Sequence, residues 1–352
     1  MYIDTNTTKN TNQLISERQI INGHPSGMLQ LLPYKYPFAD GFFDKMYANS
    51  WHPAEVNLNE DASMWKSNSL TETEREVFAR SLSFVSNLDT VQTYSLTHAV
   101  SRQITAPEIQ LLMVRQVFEE TIHVLSYNRM IEILGMSPDD TYGRYRHDAQ
   151  LKAKLDHICE SINMIMHPNF ETGTADTDRT YAEALVNNIL LEGLFFYSSF
   201  LMFYSLARVN KMPNSARMIG LINRDEATHR DMIIKVFNLM MEENPQIWTN
   251  EFKAQMLQKV KTAVSLEEEW GKSIIGSGFL GVNPETLAQY TQFLGDIILE
   301  GIKLPKQWNV TNPFPWIDEF TQINQELGAF FETNVSRYSQ AVPTFEASSL
   351  DW

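Results

Sequence analysis

The chain is poor in cysteine: Cys159 is the only one among 352 residues. It can form neither an internal disulfide nor a cysteine-based metal site, and a lone thiol suits a reducing compartment. Long apolar runs are also missing. The longest, Gly193–Ala207, is bounded by Glu192 and Arg208 and falls short of the ~20 residues that cross a bilayer. It reads as a buried helix, so no membrane partner is expected. The opening segment, MYIDTNTTKNTNQLISERQ, lacks the apolar centre of a signal peptide, and a cytoplasmic protein is expected. Positive charge is scarce as well. Lys and Arg number 28 against 43 Asp and Glu, a net charge of −15 that repels a phosphate backbone, so nucleic acid is set aside. No glycine-rich phosphate loop is present, which argues against a nucleotide site in this chain.

What is present is a globular composition, with 43% hydrophobic and 20% charged residues. Strict alternation is scarce, whereas apolar residues recur every three or four positions, so the fold class is all-α. Breakers at Pro107, Gly135, Pro138, Pro213 and Pro284 divide the chain into helices expected near 71–99, 108–134, 181–208, 214–243, 250–274 and 285–303. Shorter ones are expected near 38–48, 149–163 and 316–334. Ser69-Leu-Thr-Glu72 and Thr180-Tyr-Ala-Glu183 read as capping boxes, and Asn283-Pro284 as an N-cap followed by proline.

The chemistry lies in an internal echo. Glu120-Thr-Ile-His123 and Glu226-Ala-Thr-His229 share a spacing that puts a carboxylate and an imidazole one turn apart on one helical face. About one helical hairpin upstream of each pair stands an acidic residue in an apolar helix, Asp89 before the first and Glu192 before the second. An unpaired carboxylate within Ile189–Phe200 would cost several kcal/mol, and a divalent metal removes that cost. Two lone carboxylates and two Glu-x-x-His pairs on four helices form the donor set of ferritin-like dinuclear bundles. The expected architecture is a flexible segment 1–20, a ferritin-like helical domain 21–335 with a dinuclear site in a four-helix core, and a flexible tail 336–352. Carboxylate and imidazole suit iron, manganese or a mixed pair, two ions per chain.

Glu119-Glu-Thr-Ile-His-Val-Leu-Ser-Tyr127 and Arg224-Asp-Glu-Ala-Thr-His229 resemble two motifs of the small, radical-generating subunit of class I ribonucleotide reductase. The resemblance spans roughly residues 35–338 and implies Asp89, Glu120, His123, Glu192, Glu226 and His229 as ligands. It also implies a radical on Tyr127, one turn after His123, with Phe196, Phe200 and Ile222 as an apolar shield. Trp51 and Asp225 match the family's relay residues, and Tyr338 matches its tail tyrosine. The implied activity is reduction of ribonucleotides by a large partner subunit, which must supply the nucleotide site and the dithiol. The implied assembly is a homodimer docked through its tail, where Phe345, Leu350 and Trp352 are apolar anchors in a polar segment. Two other functions remain open on the residues alone: a ligand-oxidising enzyme of the same fold, needing neither Trp51 nor Tyr338, and a metal store needing no Tyr127.

Overall fold

The computed structural model describes residues 8–23 and 29–320. Among these there is no strand, only a single bridge between Phe279 and Val282. In chain order the helices are α1 (Thr11–Ser16), α2 (Phe38–Ala48), α3 (Asn59–Lys66), α4 (Glu72–Ser95), α5 (Ser101–Gln103), α6 (Pro107–Leu134) and α7 (Pro138–Tyr142). They continue with α8 (Ala149–Met166), α9 (Ala175–Leu190), α10 (Tyr197–Ala207), α11 (Pro213–Glu243), α12 (Asn250–Ile275) and α13 (Pro284–Gly301). The all-α, ferritin-like reading is thus correct.

Four of these rods form the centre: α4, α6, α11 and the α9–α10 rod pack against one another. Across α6 and α11 lie α2 and α3, while α8, α12 and α13 cover the far side of the α9–α10 rod. The segment Ala175–Ala207 is apolar enough over an 18-residue window to cross a membrane, yet that window is entirely buried within the protein, which makes it the core helix of the bundle. Neither long apolar helix runs uninterrupted. A π-helical turn, Leu191–Phe195, separates α9 from α10, and another, Leu96–Val100, follows α4.

Two caps differ from expectation. The box that starts α4 is Thr71 with Glu74, two residues beyond Ser69 and Glu72: the Glu74 amide donates to Thr71 Oγ1 and the Thr71 amide to Glu74 Oε2. Lys211 decides the register, since its ammonium donates to both Glu74 oxygens at 2.7 Å. Thr180 and Glu183 lie inside α9, whose cap is Thr174. Glu183 instead pairs with Lys259 of α12 at 2.8 Å. Asn283 and Pro284 start α13 as read.

The expected flexible segment 1–20 is partly packed. Thr11–Ser16 is helical, Arg18 is ion-paired to the buried Glu108, and Ile20 is fully buried with its amide on Glu243 Oε2 at 2.9 Å. The helix expected over 316–334 is seen only to Phe320. Tyr338 and the anchors Phe345, Leu350 and Trp352 lie outside the described residues.

Candidate metal centre

The four central helices each bring acid into the core. Asp89 comes from α4, Glu120 and His123 from α6, Glu192 from the π-helical turn, and Glu226 and His229 from α11. All six are completely buried. Their ligand atoms form two groups, each with its atoms within 4.8 Å of one another: Asp89, Glu120, His123 and Glu226 in one, and Glu120, Glu192, Glu226 and His229 in the other. Glu120 and Glu226 belong to both, so they are the carboxylates that could bridge two ions.

The open donor atoms test whether ions fit. Among the described residues, both oxygens of Asp89, one each of Glu120, Glu192 and Glu226, and His123 Nδ1 are buried without a hydrogen bond. A buried carboxylate oxygen left so costs free energy, and one orphan would be an anomaly. A converging set of hard oxygen and imidazole donors could hold metal ions.

Electrostatics agree. Burial opposes charge on both imidazoles, but Glu226 beside His123 and Glu120 beside His229 raise both well above the usual histidine range. Burial, followed by the Glu226 charge for Asp89 and by the Glu120 and Glu226 charges for Glu192, raises both carboxyls. Burial works in the same direction on Glu226, yet the His123 charge together with hydrogen bonds to His123, His229 and Glu192 outweighs it and holds that carboxyl low. Protons thus relieve the repulsion among four carboxylates, a role that divalent cations fill.

Trp51 and Asp225 lie beside His123. Trp51 Nε1 donates to Asp225 Oδ2 at 2.7 Å, and the same oxygen is 3.4 Å from His123 Nε2. The Trp51 and His123 rings stack with centroids 6.4 Å apart. Tyr127 is completely buried, and its hydroxyl makes no hydrogen bond of standard geometry among the described residues. Burial first, then the Asp89 and Glu226 charges, holds its phenol protonated far above the ordinary range. Phe196 and Phe200 are buried and stacked, with centroids 5.8 Å apart, and Ile222 is buried in the same core.

Three polar residues around the ligands were not singled out from the sequence. Gln92 and Gln116 both donate to Glu192 Oε1, and Gln116 also reaches Glu120 Oε1 at 3.2 Å. Glu119 Oε2 lies 2.7 Å from His229 Nε2. Each sits three or four residues from a ligand, or directly beside one, so helical periodicity was the available signal.

A family model described as ribonucleotide reductase, small chain, matches residues 28–313. The ribonucleoside-diphosphate reductase subunit beta of Chlamydia pneumoniae is 33% identical over 328 residues, covering 93% of this chain and 94% of its own. That of Halalkalibacterium halodurans is 31% identical, covering 91% of each. Among solved structures, the ribonucleotide reductase R2 subunit from Clostridium botulinum superposes with a TM-score of 0.80 at 31% identity, covering 86% of this chain and 94% of that one. The Streptococcus sanguinis dimanganese(II)-NrdF shares the fold, with a TM-score of 0.71 at 20% identity, over 83% of this chain and 98% of that one. With a buried carboxylate and histidine pocket at the centre of that shared fold, the chain belongs to the ribonucleotide reductase small-chain family and is a small subunit of ribonucleoside-diphosphate reductase.

Proposed function

We propose that this subunit binds two metal ions through Asp89, Glu120, His123, Glu192, Glu226 and His229, stores an oxidising equivalent as a radical on Tyr127, and lends it to the large subunit for ribonucleotide reduction. When bound, the ions supply redox-active centres with open positions for dioxygen. The donor set suits iron, and equally manganese or a mixed pair.

The chain's own residues do the rest. Tyr127 keeps its proton until oxidation, because burial and the neighbouring carboxylates disfavour the phenolate. Loss of an electron must therefore be accompanied by loss of the hydroxyl proton, and Asp89, whose carboxyl faces that phenol, is the acceptor at hand when it is ionised. Phe196, Phe200 and Ile222 belong to the same buried apolar core and would help keep reductants in solution from a radical there. On the other side, Asp225 orients His123 and holds the Trp51 indole N–H, which gives a continuous path from the pocket to a partly exposed tryptophan. Tyr338, outside the described residues, is the carrier proposed to pass the oxidising equivalent to the partner.

Three features support the assembly. The single cysteine cannot provide a dithiol, so nucleotide chemistry belongs to the partner. An exposed apolar face on α6 offers a surface for a second copy, and the tail's apolar anchors offer a peptide for the large subunit. A reducing cytoplasm is the compartment in which such a subunit works.

The observation that carries the reading is the conjunction of six buried donors with a buried tyrosine hydroxyl whose neighbour is Asp89. Electron paramagnetic resonance after anaerobic Fe(II) loading and exposure to air tests it. The wild type should give a persistent tyrosyl signal, and Tyr127→Phe should load metal equally but lose that signal. A metal-loaded Tyr127→Phe with an unchanged radical would assign the radical to another residue.

A further inference from the structure

Of the six donors, Glu192 alone stands outside regular α-helix, in the π-helical turn Leu191–Phe195. Such a turn is wider than an α-helical one, so relaxing it would rotate α9 against α10 by one residue's step, about 100°. Its neighbours grip it. At Gly193 a Cβ would meet Arg230 Cδ of α11 at 2.7 Å and Ile298 Cδ1 of α13 at 3.2 Å, so both helices close on bare backbone. The Phe195 ring meets the His157 ring of α8 edge to face, with centroids 6.4 Å apart. From the same helix, the Lys154 ammonium stands 5.1 Å from the Phe195 ring centroid.

Lys154 is completely buried. Phe84 at 3.4 Å and Trp270 at 4.2 Å complete an aromatic cage around its ammonium, which is ion-paired with the equally buried Glu267 of α12. Burial raises the Glu267 carboxyl, while Lys154 and then the Ser198 hydroxyl and amide pull it back, so the carboxylate faces the first turn of α10. Stability does not account for this pair, because apolar residues of similar volume in place of a buried ion pair are often neutral or stabilising. What apolar residues cannot do is hold a chosen amide and a chosen ring face.

We infer that the Lys154–Glu267 pair positions Glu192: Lys154 holds Phe195 and Glu267 holds Ser198, which keeps the π-helical turn in the register that aims the Glu192 carboxylate into the pocket. This rests on the dinuclear reading above. The consequence is local to one ion. Glu192 belongs to the group with Glu120, Glu226 and His229, and the group of Asp89, Glu120, His123 and Glu226 does without it.

The experiment is Mn(II) titration of the full-length protein, following the paramagnetic resonance of the free ion, with thermal unfolding of each metal-free variant alongside. The wild type should take up two ions. Lys154→Met/Glu267→Leu keeps the volume and removes both grips, so one ion should bind about 10-fold more weakly, as when a partner behind a ligand is lost. The other ion should keep its affinity. Glu267→Gln retains an acceptor for Ser198 and the ammonium beside Phe195 but upsets the charge balance. It should lower the melting temperature and still bind the affected ion more tightly than the double variant does. Phe195→Leu, which leaves the pair in place, should weaken the same ion and carries the test if the double variant does not fold. The inference is overturned if the folded double variant or Phe195→Leu takes up both ions as the wild type does, if both ions weaken alike, or if affinity tracks melting temperature across the set. A wild-type protein that takes up no Mn(II) would overturn the dinuclear reading first, and this inference with it.

Discussion

Lys154 shows how far a single residue can depart from what its type suggests. From sequence it reads as a solvated charge. The structure buries it completely, with Nζ 3.4 Å from the Phe84 ring centroid and 4.2 Å from that of Trp270, paired with the equally buried Glu267. Nothing local announces this, because the partners come from α4 and α12, far away in sequence. Burial pushes Lys154 down to about 8, against the pull of Glu267, and burial raises Glu267 despite Lys154. Lys154→Met leaves a carboxylate without its cation and should cost about 3–5 kcal/mol in urea unfolding at pH 7, whereas Lys154→Met/Glu267→Leu should recover most of that. The pH dependence has a definite sign. Between about 8 and 10.5 the unfolded chain holds a proton on Lys154 that the folded chain does not, so this group makes stability rise with pH across that window. The stability difference between wild type and Lys154→Met, followed from pH 7.5 to 10.5, should therefore move in favour of the wild type. A flat difference would show that Lys154 has the same proton affinity folded and unfolded.

At the scale of elements, periodicity made the ligands legible and tertiary packing hid what surrounds them. Glu-x-x-His is visible because a regular helix turns every 3.6 residues. The π-helical turn that carries Glu192 breaks that period, and no residue within Leu191–Phe195 marks it. Glu192 was found as an acid in an apolar run, which is a burial argument and needs no register. Gln92, Gln116 and Glu119 were visible by spacing but carry no chemistry of their own, so only the geometry shows what they hold. Caps failed for a different reason. Ser69-x-x-Glu72 and Thr71-x-x-Glu74 are overlapping boxes that sequence cannot rank, and Lys211, from the turn before α11, chooses between them. Thr71→Ala should cost about 1 kcal/mol of unfolding free energy. Ser69→Ala, whose hydroxyl meets only Ser67 at the surface, should stay within about 0.5 kcal/mol. Equal losses would return the helix start to Ser69.

For the whole molecule the open question is which surfaces meet other chains. Deleting residues 345–352 should remove most affinity for the large subunit while leaving metal uptake and the Tyr127 radical intact, because none of the six donors lies in that segment. Unchanged affinity in a pull-down or titration would move docking to the helical body. The second surface is α6. Val114, Phe118 and Leu125 are 67%, 51% and 48% exposed, and their spacing puts them on one side of the helix, with Tyr94 of α4 also exposed at 56%. An apolar stripe on a chain carrying −15 charges is costly in water and suits self-association. In a two-fold dimer the same patch faces itself, so one substitution counts twice. Two such acidic chains repel at long range, which means that contact must come from this apolar face and should tighten when salt screens the charge beyond ~8 Å. Val114→Glu and Leu125→Glu each place a carboxylate in the stripe without touching Phe118, whose ring stacks under Arg115 at 5.1 Å. Sedimentation velocity at 0.15 M salt should show the wild type as a dimer and the double variant as a monomer that still takes up two Mn(II). A double variant that remains dimeric would place the contact between copies elsewhere on the bundle.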